Sequence, residues 1–377
     1  MTLPIPPSPG ASVSKPFWKE TLPRLVFLAL ILYGFLVSIG MLGKAFQLFG
    51  GGVVDDLIES ASTPLVGLFV GILATTLIQS SSTTTSLVVA LVGSGAMPVA
   101  TAIPMVLGAN IGTSVTNTLV SLGHISRGRE FYRAFSASTV HDFFNIMAVA
   151  ILFPLQLLTN FLGIFSSLLA ELFQKVGGLT FTSPLKIFTE PAVKAAVAAL
   201  GDHPWMLMLA SMVLLFGSLR YLVIILKTLV MTKVETLFEL VIFKNAARAM
   251  LFGMAVTILV QSSSITTSIV VPLAGAGILT LRQIFPYTLG ANVGTTVTAM
   301  LASLAVGEIS AVTVAFAHLL FNLSGILLIW PIPAIREIPL ALARWLANAS
   351  SRSRWIPLLY VFFAFYLIPF LIILILR

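Results

Sequence analysis

The chain has 377 residues, 58% of them apolar and only 9% charged. A soluble domain carries about 25% charged residues, so a water-facing globular surface is excluded and lipid must cover most of the molecule. The net charge of +8 is scattered over loops and segment ends, without a basic stripe among aromatics; nucleic acid is excluded as a partner, and membrane orientation and anionic headgroups account for the charge. The chain has no cysteine, which excludes disulfides, thiolate metal sites and thiol catalysis.

In chain order, residues 1–22 form a Pro- and Ser-rich tail expected to be flexible. Leu25–Gly43 reads as the first membrane helix, being too long for the apolar core of a signal peptide. Lys15, Lys19 and Arg24 precede it and favour a cytoplasmic N-terminus. Further spans are expected at Phe143–Phe165, Leu207–Val230, Val312–Trp330 and Ile356–Leu376, each mostly apolar and about long enough to cross. Pro369 should bend the last without breaking it.

Between these spans the pattern changes. Within Pro64–Gly95, Gln79 and an unbroken run of Ser and Thr, Ser80–Ser86, separate two apolar arms. Arms of about 12–15 residues are too short to cross a bilayer, so a re-entrant helical hairpin with a polar tip is predicted. Met97–Leu122 follows, interrupted by Gly108-Ala-Asn-Ile-Gly-Thr113. That interruption predicts a partly unwound transmembrane helix, tolerated only where it lines a cavity or is buried in protein.

The pattern then recurs. Gly71–Leu122 aligns without a gap to Gly253–Leu304 at an offset of 182, with 27 of 52 positions identical. Gln79-Ser-Ser-Ser82 matches Gln261-Ser-Ser-Ser264, and Gly108–Thr113 matches Gly290–Thr295. His141–Asn145 resembles His318–Asn322 at an offset of 177. The chain is thus an all-α polytopic membrane protein with two repeated halves, 23–167 and 205–335. An interfacial linker, 168–204, joins them, and a basic loop with a C-terminal transmembrane helix, 336–377, follows. Basic residues in Arg127–Arg133 lack a counterpart in the second half, which fits an inverted topology.

Duplicated halves with matching interrupted segments are the best sequence pointer to a transporter's binding site. Broken helices expose N–H groups that suit an anion and carbonyls that suit a cation. Hydroxyls of Ser80, Ser81, Ser82, Thr83, Ser262, Ser263 and Ser264 can donate to an anion's oxygens. Gln79, Gln261, Asn110 and Asn292 offer neutral amide oxygens to a hard cation. Such a site favours an anion and a small cation together, because each offsets the burial cost of the other.

Asp142 stands in an apolar stretch and is a functional candidate by that position; the competing reading is a structural carboxylate paired with Arg133. Arg133 faces either an anionic substrate or lipid headgroups. His141 and His318 read as helix-packing donors.

These motifs, with Arg133-Ala-Phe and Val-His-Asp-Phe-Phe-Asn145, resemble the type II sodium-dependent phosphate cotransporters. The likeness runs from about Pro64 to Pro333. It implies sodium-coupled uptake of inorganic phosphate, with no cofactor beyond Na+ as coupling ion. It also implies two inverted repeats, each with a re-entrant hairpin and a partly unwound helix. The serines would line the phosphate site. Gln79, Gln261, Asn110, Asn292, Thr113 and Thr295 would serve sodium and tip geometry. Asp142 matches the Asp of electrogenic members, with an extra sodium near Asp142 and Asn145. The shorter linker and absent cysteines look like a bacterial form, hence an inner-membrane protein, with a monomer as functional unit and a homodimer compatible with it. A symporter of another oxyanion or of a carboxylate would share the architecture. No Gly-x-Ser-x-Gly elbow supports a hydrolase.

Overall fold

In lipid every backbone polar group must be satisfied within its own segment, which leaves the helix as the natural form of long apolar runs. The computed structural model describes residues 17–60, 63–113, 115–126, 128–176, 184–200, 203–238 and 245–376. Among these it is helical, without a strand. The flexible tail expected at 1–22 lies mostly outside them. The first half holds α1 (Phe17–Ser60), α2 (Pro64–Ile78), α3 (Ser81–Gly93), α4 (Val99–Gly112), α5 (Val115–Leu122) and α6 (Gly128–Thr159). Then come α7 (Phe161–Val176), α8 (Pro184–Leu200), α9 (Pro204–Phe238), α10 (Ala246–Val260), α11 (Ser263–Gly275), α12 (Leu281–Val306) and α13 (Ile309–Ile329). The chain closes with α14 (Pro333–Arg352), α15 (Trp355–Val361), a π-turn at Phe362–Leu367 and α16 (Ile368–Leu376). Among the described residues, seven helical stretches are long and apolar enough to cross a membrane.

The duplication is visible in the packing. α2 lies along α4, and α10 along α12. Gly71 backs onto the Met105 carbonyl and Gly253 onto that of Tyr287; Gly108 backs onto the Leu68 carbonyl and Gly290 onto that of Met250. A Cβ at any of these four would collide with backbone. Lipid offers no hydrophobic drive between helices, so this close approach, which only glycine allows, supplies the dispersion contact instead. α6 packs on α4, α5, α11, α12, α13 and α14. Its Phe144 meets Phe285 of α12 edge-on at 6.0 Å.

Four expectations need correction. The span expected at Phe143–Phe165 is two helices: Asn160 takes a left-handed φ of 50° between α6 and α7. Its amide oxygen receives Gln156 Nε2 at 2.8 Å. The linker expected from 168 begins inside α7, which packs on α13. The basic loop expected from 336 is helix α14, which buries Leu340, Ala343, Leu346 and Ala347 and packs on α6. Glu337 there pairs with Arg282 at 2.9 Å and Arg344 at 3.7 Å.

The fourth correction concerns the unwound helices. The first-half helix stops at Gly112 and resumes at Val115, but α12 runs unbroken through Gly290–Thr295. The hexapeptide alone therefore does not unwind a helix. Its glycines serve the close contact with α10, and its Asn292 reaches sideways into another helix. Near the tail, Pro369 has no N–H to give the carbonyl four residues earlier, and the π-turn just before it absorbs the mismatch.

Candidate functional site

Each Ser-rich run forms the start of a helix. Ser80 and Ser262 are N-caps with extended backbones, φ −153° and −152°. Their hydroxyls accept from Thr83 N at 3.2 Å and Ile265 N at 3.4 Å. This is the capping that Ser at such a position provides. The preceding glutamines, Gln79 and Gln261, end α2 and α10 in the left-handed region at φ 59° and 55°. A left-handed residue followed by an extended one turns the chain sharply between two short helices. Each glutamine amide donates back to its own helix, Gln79 Nε2 to Thr76 O and Gln261 Nε2 to Ile258 O. Each amide oxygen accepts a threonine hydroxyl, from Thr116 at 2.9 Å and Thr298 at 2.8 Å.

The two tips meet. Ser82 Oγ is 3.4 Å from the Gln261 carbonyl, and Ser264 Oγ is 3.5 Å from the Thr113 carbonyl, where α4 ends. Thr83 Oγ1 donates to Ser80 Oγ at 2.9 Å. Ser81 and Ser263, the first residues of α3 and α11, are 4% and 3% exposed. Within the described residues no hydrogen bond engages either hydroxyl. The backbone N–H groups at the first two helical positions also lack an intrahelical partner. Two positive helix ends and two uncommitted hydroxyls thus share one buried region.

Beside the tips lies a polar network that bridges the halves. His141 Nε2 is 2.6 Å from Asn292 Oδ1, and Asn292 Nδ2 donates to Asn145 Oδ1 at 2.7 Å. Asn145 Nδ2 donates to the Asn110 carbonyl at 2.8 Å. The mirror set follows the repeat: His318 Nε2 with Asn110 Oδ1 at 3.3 Å, Asn110 Nδ2 to Asn322 Oδ1 at 3.3 Å, and Asn322 Nδ2 to the Asn292 carbonyl at 3.1 Å. The six side chains are buried to 2% exposure or less. The amide oxygens of Asn110 and Asn292, expected as cation ligands, each face a histidine.

Asp142 is fully buried. Its Oδ2 accepts from Tyr360 Oη at 2.9 Å and Thr118 Oγ1 at 3.5 Å. Thr113 and Thr295 return their hydroxyls to the Ala109 and Ala291 carbonyls at 2.9 and 3.1 Å. Arg133 is not with the tips. It is exposed and its guanidinium lies against Gly277, past the far end of α11. At 1.5 Å per residue, the 13 residues of α11 put it about 20 Å from Ser263.

Sequence reasoning missed several members. Thr116 and Thr298 are identical across the repeat and were legible from it. Asn322 was visible in the His318–Asn322 match. Asn117, which donates to Thr267 Oγ1 at 2.7 Å and accepts from Ser268 Oγ at 2.9 Å, has Ala299 as its counterpart. Tyr360 lies outside both repeats. Asn117 closes the motif Gly108–Asn117 that carries the family resemblance, whereas Tyr360 left no signal.

The long apolar helices and the buried polar centre define a multi-pass α-helical membrane protein. The chain belongs to the Na+/Pi-cotransporter family, whose model matches residues 35–181 and 213–328. Among curated relatives, sodium-dependent phosphate transport protein 2B of Homo sapiens is 34% identical over 92% of this chain and 64% of its own length. Sodium-dependent phosphate transport protein 2A of Ovis aries is 34% identical over 96% of this chain and 69% of its own. The Rattus norvegicus 2A protein is 35% identical over 90% and 66%. The chain thus spans about two thirds of the length of these relatives. No solved structure matches it.

Proposed function

We propose that this chain is a sodium-coupled symporter that imports inorganic phosphate by alternating access. The observation that carries it is the pair Ser81 and Ser263: buried, matched across the repeat and uncommitted in hydrogen bonding, at two helix starts whose tips touch. Phosphate needs donors on several oxygens, and two helix N-termini with serine hydroxyls supply them without a full positive charge. A mostly neutral site needs a cation to enter with the anion, which is the physical root of coupling. Ser80–Thr83 and Ser262–Ser264 form the phosphate side. Gln79, Gln261, Asn110, Asn292, Thr113, Thr295, Asp142 and Asn145 form the sodium side. The Asn110 and Asn292 amide oxygens would turn from their histidines to reach an ion. Arg133 has no part in either.

In this reading α2–α3 and α10–α11 are re-entrant hairpins of two inverted repeats. Helices of 15 and 13 residues reach only about 20 Å, short of the roughly 30 Å hydrocarbon core. Rocking one repeat against the other would open the touching tips to each side in turn. Asp142 brings an additional sodium and makes the cycle electrogenic. The protein would sit in the inner membrane, N-terminus in the cytoplasm, with the monomer as transport unit.

The test is uptake of radiolabelled phosphate by proteoliposomes under an inward sodium gradient, with sulfate, arsenate and dicarboxylates as competitors. Uptake that needs sodium and yields only to arsenate is expected. No sodium-dependent phosphate uptake would overturn the reading, and stronger competition by a dicarboxylate would reassign the substrate.

A further inference from the structure

The turn at the far end of the second tip carries a different feature. A cavity of about 300 Å³ opens between α6, α14 and the α11–α12 turn, lined by Tyr132, Arg133, Ser136, Gly277, Thr280 and Arg344 among others. Among the described residues, no carboxylate lines it. Among the described residues, no hydrogen bond or ion pair holds Arg133. Its guanidinium lies over Gly277, where the absent Cβ and the φ of 79° leave room for it. Arg344, on the opposite wall, shares Glu337 with Arg282, which is the nearer of the two. Two guanidinium groups, Arg282 and Arg344, therefore share one carboxylate, while Arg133 is paired with none among the described residues. Glu130, one turn before Arg133, faces His124 at 3.7 Å. α12 begins at this wall, with Thr280 as its N-cap, and the positive end of a 26-residue helix adds to the field.

The repeat-related place is unlike it. At the repeat offsets, Arg133, Ser136 and Leu281 correspond to Ser310, Thr313 and Val99, which line a cavity with no charged residue among the described ones. The repeat has thus diverged into one basic cleft and one neutral cleft. The basic cleft also lies beside α14, whose Trp345 is 65% exposed, and close in sequence to Trp355, 70% exposed. Exposed tryptophans of this kind mark the membrane–water boundary.

We propose that the Arg133–Arg344 cleft is a second anion site, separate from the tips, that takes a phosphate group from a lipid headgroup or from solution. Two planar forks and a helix start suit phosphate oxygens, which arginine binds bidentately. It is independent of the transport reading, because no residue of it reaches the Ser-rich tips.

The test uses the full chain in detergent. Retained phosphatidylglycerol is counted by native mass spectrometry for the wild type, Arg133→Gln and Arg133→Lys. In parallel, inorganic phosphate is titrated in sodium-free choline buffer while thermal unfolding is followed. If a headgroup is the ligand, Arg133→Gln loses lipid occupancy about fivefold, the effect of one basic residue at a membrane surface, and Arg133→Lys keeps most of it. If free phosphate is the ligand, it raises the unfolding midpoint of the wild type and not of Arg133→Gln. Should the variants retain lipid as the wild type does and respond to phosphate as it does, the proposal is overturned. The exposed, unpaired position of Arg133 makes misfolding of its variants a poor explanation of a loss, and the unliganded unfolding midpoint checks this directly.

Discussion

His141 on α6 and Asn292 on α12 lie 151 residues apart in the chain and 2.6 Å apart in space. Because Asn292 spends its amide hydrogens on Asn145, its oxygen faces the ring and His141 Nε2 carries the donated proton. The Nδ1 atoms of both His141 and His318 are buried without a hydrogen-bond partner. One histidine and two asparagines from each half therefore stitch the halves together through neutral groups. The second-half asparagine is held more tightly than the first, whose own contacts stretch to 3.3 Å.

From that asymmetry we predict that Asn292→Ala destabilises the protein more than Asn110→Ala. Loss of either leaves buried polar groups unpaired at about 1–3 kcal/mol. Thermal unfolding in detergent measures the order; equal midpoints for the two variants would contradict it.

Ser81→Ala and Ser263→Ala remove hydroxyls that hold nothing inside the protein. We predict unchanged unfolding midpoints together with a roughly ten- to hundredfold fall in phosphate uptake at low substrate, the worth of a hydrogen bond to a charged group. Full uptake in both variants would sink the shared site.

Asp142 is the carboxyl group beside this network, and Leu319 stands at its counterpart position. Asp142→Gly is predicted to lower the charge moved per phosphate. Simultaneous recording of phosphate-evoked current and tracer flux tests this, and an unaltered ratio removes Asp142 from the coupling.

Gly290→Ala sets a methyl group against the Met250 carbonyl, whereas a Cβ at Gly217 meets nothing within 4 Å. The first change is predicted to cost at least about 1–3 kcal/mol of overpacking and the second little. Folded yield and unfolding midpoint compare them.

Much of the centre was legible because it is duplicated. Gln79 and Gln261, with the serines after them, stood out as polar runs between apolar arms, and the constant offset tied them into one unit. The unwound second helix was misread. Gly-Ala-Asn looks like a break in any single chain, and only the contact of Gly290 with α10 reveals that glycine serves packing there. The basic loop expected from 336 is a helix whose buried face, Leu340, Ala343, Leu346 and Ala347, repeats at helical spacing. Arg133, for which charge left substrate and headgroups open, stands at the far end of α11 from Ser263.

The sequence by itself determined the helical, lipid-embedded class, since continuous apolar runs of about 20 residues satisfy their backbone in a bilayer as helices. It also determined the two tips, through a repeat too regular for chance. Only the tertiary structure decided which polar groups remain free for a ligand. Hydroxyl and amide groups are alike in sequence whether or not a partner claims them. Packing placed Asn110 and Asn292 against histidines and left Ser81 and Ser263 uncommitted, and it set Arg133 in a cleft of its own about 20 Å from the tips.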